Sequence, residues 1–284
     1  MIPQIPKFPL AHIIDVTLDW LTGNFSFITK AFSHGLSAVI DALVSGLLYL
    51  PPWLIILAVA ALAWRMAGRR VAIFSLLGLL FLWNLRLWEP TVQTVTLVLI
   101  STLISVSIGL PLGIGAALSK RVSRVVMPVL DFMQTMPAFV YLIPAIPFFG
   151  LGAVSASVAT VIFSMPPAIR LTALGIRQVP DDLIEAADAF GSSSRQKLFK
   201  VQLPMAVPTI MAGVNQTIML SLSMVVIAAM IGAGGLGGEV WKAIQRLEPG
   251  KGFESGIAIV ILAMILDRIT QRIGRRSSTS AEIN

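Results

Sequence analysis

The sequence predicts an all-α integral membrane protein of about seven transmembrane helices, and three observations predict it. Of 284 residues, 56% are hydrophobic and only 12% charged, where ordinary soluble domains carry roughly a quarter. The mean hydropathy is +0.86. The apolar residues gather into runs near the ~20 residues that a helix needs to cross a bilayer core, where unpaired backbone is not tolerated. Several chemistries are excluded at once. There is no cysteine, so disulfides and thiolate chemistry are absent. His12 and His34 stand too far apart to suggest a metal site. Gly250-Lys251 is followed by Gly252 rather than Ser or Thr, so no P-loop exists to cradle nucleotide phosphates. The net charge of +7 must be read by its placement between apolar runs, and nucleic acid is not implied.

Taken in order, Pro3, Pro6 and Pro9 suit an extended lead-in, and no basic region precedes an apolar core, so a cleaved signal peptide is not expected. Residues 1–49 form an N-terminal extension. Asp15, Asp19 and Asp41 among its apolar residues predict amphipathic helices lying on the interface. Two short spans come next within 50–88, at 50–66 and 71–87, separated by Arg65-Met66-Ala67-Gly68-Arg69-Arg70, with Trp53, Trp64, Trp83 and Trp88 near their ends as interfacial aromatics. A core domain at 89–272 holds the other five spans, near 91–117, 126–148, 153–174, 205–231 and 254–272, and 273–284 is a tail.

Within these spans, Thr94, Ser101, Ser105 and Gly109 make a small-residue stripe that lets helices approach closely. Pro137, Pro144 and Pro147 should kink the 126–148 span, and Pro166-Pro167 should interrupt the next one just before Arg170, a candidate anchor for the base of the polar segment 178–204. Asp131 is expected to pair with a neighbouring Arg. Asn215, Gln216 and Thr217 fall near mid-membrane, where polar groups are costly unless bonded or wet; Asn215, Gln216, Met219 and Ser223 are the candidate lining of a conduit, with interhelical bonding as the competing reading. Gly232 to Gly238 reads as a flexible external turn.

Orientation is set by charge. Alternating from an outside N-terminus, the inside segments hold Arg65, Arg69 and Arg70, then Lys120, Arg121 and Arg124, then Arg170, Arg177, Arg195, Lys197 and Lys200, and finally Arg268, Arg272, Arg275 and Arg276. Only Lys7, Lys30, Arg86, Lys242, Arg246 and Lys251 remain outside. The positive-inside rule therefore puts the N-terminus outside, and the C-terminus and the segment 178–204 in the cytoplasm.

That segment is a polar island. Pro180 suits a helix start, Asp181, Asp182 and Glu185 complement the helix dipole, and Leu183, Ile184, Ala187 and Phe190 share one apolar side. Gly191 should end this helix in a left-handed conformation. Ser193 and Gln196 form a capping-box pattern for a second short helix that carries Lys197 and Lys200 and stops near Pro204.

Glu185-Ala186-Ala187, Gly191 after three residues, and Val201-x-Leu203-Pro204 after nine more resemble the EAA signature of the membrane subunits of bacterial ABC importers, with Val201 in place of Ile. The flanking stretches 134–150, 166–180, 208–228 and 265–270 are similar to permeases of glycine betaine, proline betaine and choline uptake systems, and the resemblance covers roughly residues 90–272. It implies a type I ABC importer permease fold in the bacterial cytoplasmic (inner) membrane. It also implies that Glu185, Ala186, Ala187, Gly191, Leu203 and Pro204 couple to an ATPase, into whose groove the hairpin docks. The implied partners are a cytoplasmic ABC ATPase in two copies, a second copy of this permease (or a sister permease) and an extracytoplasmic substrate-binding protein. No cofactor is expected in this chain, since ATP and Mg would be held by the partner, and the chain itself is not expected to be an enzyme. The implied solute is a quaternary ammonium compound such as glycine betaine, proline betaine, choline or carnitine, with histidine or another amino-acid-like solute as an alternative. A secondary transporter or channel is the alternative of another class, but it would need an intramembrane ion site, and no Asp, Glu, Lys or Arg lies at the centre of a span. A membrane enzyme lacks a His, Cys or carboxylate cluster to carry its chemistry.

Overall fold

A computed structural model describes residues 9–281. The expected lead-in at Pro3 and Pro6, and the end of the tail beyond 281, lie outside the described residues. Among the described residues there is no strand, and twelve α-helices succeed one another: α1 (Leu10–Tyr49), α2 (Pro52–Ala67), α3 (Arg69–Asn84), α4 (Trp88–Leu118), α5 (Lys120–Thr135), α6 (Leu142–Phe149), α7 (Ala153–Arg177), α8 (Asp181–Ala189), α9 (Ser194–Lys197), α10 (Leu203–Ala228), α11 (Gly235–Gln245) and α12 (Pro249–Ala281). Four helical stretches are long and apolar enough to cross a membrane, or five if the bent pair α5 and α6 is one span.

The centre of the bundle is α4, α7 and α10. Ser101 Oγ donates to the Ser157 carbonyl, Ser105 Oγ to the Val161 carbonyl at 3.1 Å, and Gly113 faces Thr172, so α4 and α7 run parallel in steady register. Gly175 faces Ala206 and Thr209, while Ser221 Oγ donates to Ser164 Oγ at 3.0 Å, so α10 runs antiparallel to both. The stripe expected on α4 is the seam: Thr94, Ser101 and Ser105 are all buried. A hydroxyl bonded across helices satisfies itself where water is absent, and small residues allow the approach. The parallel course of α4 and α7 has a topological consequence. The chain between them, 119–152, must return across the bundle once.

That return is broken, whereas a single kinked span was expected. α5 and the helical stretch Ala138–Phe149 meet at 114°. Met136 and Pro137 both adopt extended backbone (ψ 134° and 139°), and a proline disfavours helix in the residue before it, so the kink becomes a corner. Asp131 does pair with Arg170, tying α5 to α7. The expected interruption at Pro166-Pro167 does not occur, and α7 is unbroken through both. Both prolines are buried against neighbouring helices, which hold the helix in place of the two lost hydrogen bonds.

Two other expectations need correction. Residues 10–49 form one continuous helix rather than several, and Ile28, Thr29, Phe32 and Leu36 face Ile104, Ile108, Val158 and Val161 across a cavity of about 320 Å³. Its middle thus lies against the middle of α4 and α7; the scattered aspartates are spaced widely enough to leave an apolar stretch between them. The glycine run is a turn only over 232–234. Gly235 to Gly238 are buried inside α11, where a Cβ on Gly237 would meet Val226 Cα at 2.8 Å. At Gly235 and Gly237 glycine serves close packing rather than flexibility. The N–H groups of Gly235 and Leu236 donate to Gln93 Oε1 and Thr94 Oγ1, both at 2.8 Å, which locks α11 to the start of α4.

α2 and α3 are 16 residues each, about 24 Å long at 1.5 Å per residue and short for a ~30 Å core. They form a hairpin through Gly68 (φ +94°) and pack through Gly78 against Ile261 of α12. Trp53, Trp64 and Trp83 lie exposed near the helix ends, as expected for interfacial rings.

Candidate functional site

At the end of the bundle where α4 and α7 finish and α10 begins, the chain projects α8 and α9. Pro180 takes the N-cap position with extended backbone (ψ 137°), and Asp181 and Asp182 fill the first turn. Their charges complement the helix dipole. The helix stops where the sequence predicts. Gly191 has φ +71°, its N–H donates to the Asp188 carbonyl, and the Ser192 N–H donates to the Ala187 carbonyl, both at 2.9 Å. This pair of bonds is the Schellman motif, which requires the left-handed residue that glycine supplies without penalty. The second limb opens with the expected capping box: the Gln196 N–H donates to Ser193 Oγ at 3.3 Å, and the Ser193 N–H to Gln196 Oε1 at 2.8 Å. Lys197 Nζ reaches back to Asp188 at 2.6 Å and clamps the limbs together.

The second limb does not stop near Pro204. It passes through a π-helical turn, Leu198–Gln202, directly into α10, with Leu203 and Pro204 as the first residues of that helix. A π turn shifts the bonding to i→i+5, so the N–H that Pro204 lacks is not missed. The consequence is mechanical, since the hairpin is rigidly continuous with α10. Leu198 and Ala206 are buried with Ile176, and Arg177 donates to the Ala116 carbonyl, so the base is fixed to α7 and α4. Arg170, the anchor candidate, instead serves α5.

Glu185 and Ala186 are exposed on the outer side of the hairpin, Ala187 is half-buried, and Gly191 lies at the exposed tip. Phe190 contradicts its expected place on the apolar packing side. It is 91% exposed. As the C-cap residue beside a left-handed glycine it is swung away from the helix face that its spacing alone assigned to it. Phe199, on the second limb, is also 57% exposed, beneath the Arg195 guanidinium. Neither ring was singled out from the sequence as a docking group; the signal was there, since Phe190 precedes the helix-ending glycine.

The conduit candidates divide. Asn215 faces α12, where its Nδ2 donates to Asp267 at 2.9 Å and its Oδ1 accepts from Thr270 at 2.6 Å. Interhelical bonding therefore claims Asn215. Gln216, Met219 and Ser223 lie together on the other, exposed side of α10. Among the described residues there is no group of three or more His, Cys, Asp or Glu able to hold a metal.

Residues 109–279 match the model of a family described as binding-protein-dependent transport system inner membrane components. The chain is 55% identical to the glycine betaine transport system permease protein OpuAB of Bacillus subtilis (strain 168), over 95% of this chain and 96% of the relative. It is 54% identical to the glycine betaine/carnitine transport permease protein GbuB of Listeria monocytogenes, over 98% and 99%. With the glycine betaine/proline betaine permease protein ProW of Escherichia coli (strain K12) the identity is 48%, over 95% of this chain and 76% of ProW. In fold, it superposes on a chain of the inward-facing MetNI methionine ABC transporter with a TM-score of 0.61 at 23% identity, covering 65% of this chain and 93% of that one. The seam of α4, α7 and α10, the rigid hairpin and these matches agree: this chain belongs to the family of inner membrane components of binding-protein-dependent transport systems.

Proposed function

We propose that this chain is the permease subunit of an ATP-driven importer whose solute is a quaternary ammonium compound of the glycine betaine class. The observation that carries the solute class is the identity of 54% and 55%, over essentially full length, to permeases named for glycine betaine. The rigid hairpin supports the mode of driving. Seven crossings between residues 50 and 272, with N-terminus outside and hairpin and C-terminus inside, are supported by the charge placement, α1 being seated against them. Two copies of the permease would pair with two ATPases, which hold ATP and Mg, and an extracytoplasmic binding protein would deliver the solute.

In this reading Glu185, Ala186, Ala187 and Gly191 seat in the ATPase, and Leu203 and Pro204 pass the motion into α10. Closure of the ATPases then tilts α10 as one lever with the hairpin, and the exposed face holding Gln216, Met219 and Ser223 changes sides between two access states. Asn215 holds α10 to α12 during that motion.

The chain has no cysteine, so single-cysteine variants can be read without background. In the assembled transporter, Gln216→Cys and Ser223→Cys should react with a membrane-impermeant thiol reagent, and solute should slow the reaction. Asn215→Cys should react roughly tenfold more slowly, since reaction requires access. Equal rates at all three positions would remove α10 from the path. The solute class is tested by competition: excess glycine betaine should abolish uptake of labelled choline-type solute in cells expressing the complete system, and histidine should not. Inhibition by histidine alone would contradict it.

A further inference from the structure

The strongest unassigned feature lies away from the hairpin, where the α2–α3 turn meets the far end of α12. A cavity of about 540 Å³ is lined there by Ala67, Gly68, Val71 and Gln271 and by four arginines, Arg69, Arg70, Arg268 and Arg272. The two pairs come from helices almost 200 residues apart in sequence, so the convergence is made by the fold. Among the described residues, none of the four guanidinium groups has a carboxylate within 4.0 Å: the ion pairs there involve Asp131, Asp188, Glu239 and Glu248. Asp267, the acidic residue next to Arg268, is already engaged. Its Oδ1 accepts from Asn215 Nδ2 and from Gln271 Nε2, at 2.9 and 2.7 Å. Four like charges around one cavity repel each other unless an anion sits between them.

Arginine's planar fork matches phosphate oxygens in a bidentate way, and basic pockets between transmembrane helices on the cytoplasmic side suit phospholipid headgroups. The surroundings favour a lipid over free phosphate. Ala67 and Val71 give the cavity apolar walls, and the adjoining α2–α3 hairpin carries Trp64, Ile73 and Phe74 exposed, Trp64 being 67% exposed. A phosphate held by the arginines would leave its acyl chains lying along that surface. We propose that this cavity is a binding site for the phosphate of an anionic phospholipid, held by Arg69, Arg70, Arg268 and Arg272.

The test uses the full-length chain in nanodiscs of mixed phosphatidylglycerol and phosphatidylcholine, with lipids retained on release counted by native mass spectrometry. Wild type should retain phosphatidylglycerol over phosphatidylcholine. Retention should fall about tenfold in R69Q/R268Q and be unchanged in R246Q, whose charge lies on the opposite side of the bundle. Unchanged retention in R69Q/R268Q would overturn the proposal. A second arm needs no variant: phosphatidylglycerol should persist on wild type against millimolar inorganic phosphate. Its replacement by bound inorganic phosphate would overturn the assignment to a lipid.

Discussion

Gly191→Trp should leave the permease in the membrane at near wild-type amount and reduce solute-stimulated ATP hydrolysis on the order of a hundredfold. Two effects combine. Gly191 sits at φ +71°, a conformation that costs an L-residue about 1–2 kcal/mol, so the Schellman turn would loosen. No atom lies within 4 Å of a Cβ built there. An indole would therefore point into open space on the proposed docking surface and not into the protein's own core. Blocking the centre of an interface costs about 2 kcal/mol or more, and together the two exceed the ~2.8 kcal/mol that corresponds to a hundredfold. Hydrolysis and membrane abundance should be measured side by side. Gly191→Ala separates the terms, since it keeps the strain and lacks the bulk; it should lose only the strain's share, about five- to thirtyfold. Undiminished stimulation in Gly191→Trp would remove the hairpin from the coupling path.

Gly113→Val should damage the fold itself. A Cβ at Gly113 would stand 2.6 Å from Thr172 Cβ and 2.7 Å from the Ile169 carbonyl oxygen. Neither can retreat, because Ile169 and Thr172 are buried on α7 between α4 and α10. Overpacking of this kind costs about 1–3 kcal/mol, which corresponds to a loss of roughly 2–5 °C in the unfolding midpoint of a chain this size. Gly115 provides the control. Two residues along the same helix, its Cβ would meet only Val122 Cγ1 at 3.8 Å, so Gly115→Val should leave the midpoint within about 1 °C. Equal midpoints for the two variants would mean that the α4–α7 seam is not the tight contact on which the bundle rests.

Local chemistry was the part of the molecule that could be read from the sequence. The Schellman turn at Gly191, the Ser193–Gln196 box and the Asp131–Arg170 pair each depend on residues whose chemistry leaves few options, and each is present. The small-residue stripe of α4 was legible as a packing face for the same reason. Features that depend on tertiary context were not legible. Pro137 and Pro166-Pro167 are alike on paper, yet one makes a corner of 114° and the other pair sits inside an unbroken helix, because only the surrounding packing decides whether a lost hydrogen bond bends the chain. The glycines 235–238 looked like part of a flexible turn because composition alone does not show the partners they pack on, Thr94 on α4 and Val226 on α10. Phe190 has the right spacing for a buried face, and the cap geometry alone turns it outward. The site divides in the same way. Asn215 and Gln216 were read as neighbouring stripes of one face, but adjacent helical residues point about 100° apart, and the structure gives one to α12 and leaves the other exposed.

If this chain conducts solute only when a separate motor moves its hairpin, reconstitution of the purified chain in liposomes will show it. The chain is assayed first alone with an imposed sodium or proton gradient, then with its ATPase, its binding protein and ATP. Glycine betaine should not accumulate in the first case and should accumulate in an ATP-dependent manner in the second. Accumulation by the chain alone on an ion gradient would contradict the motor-driven mechanism.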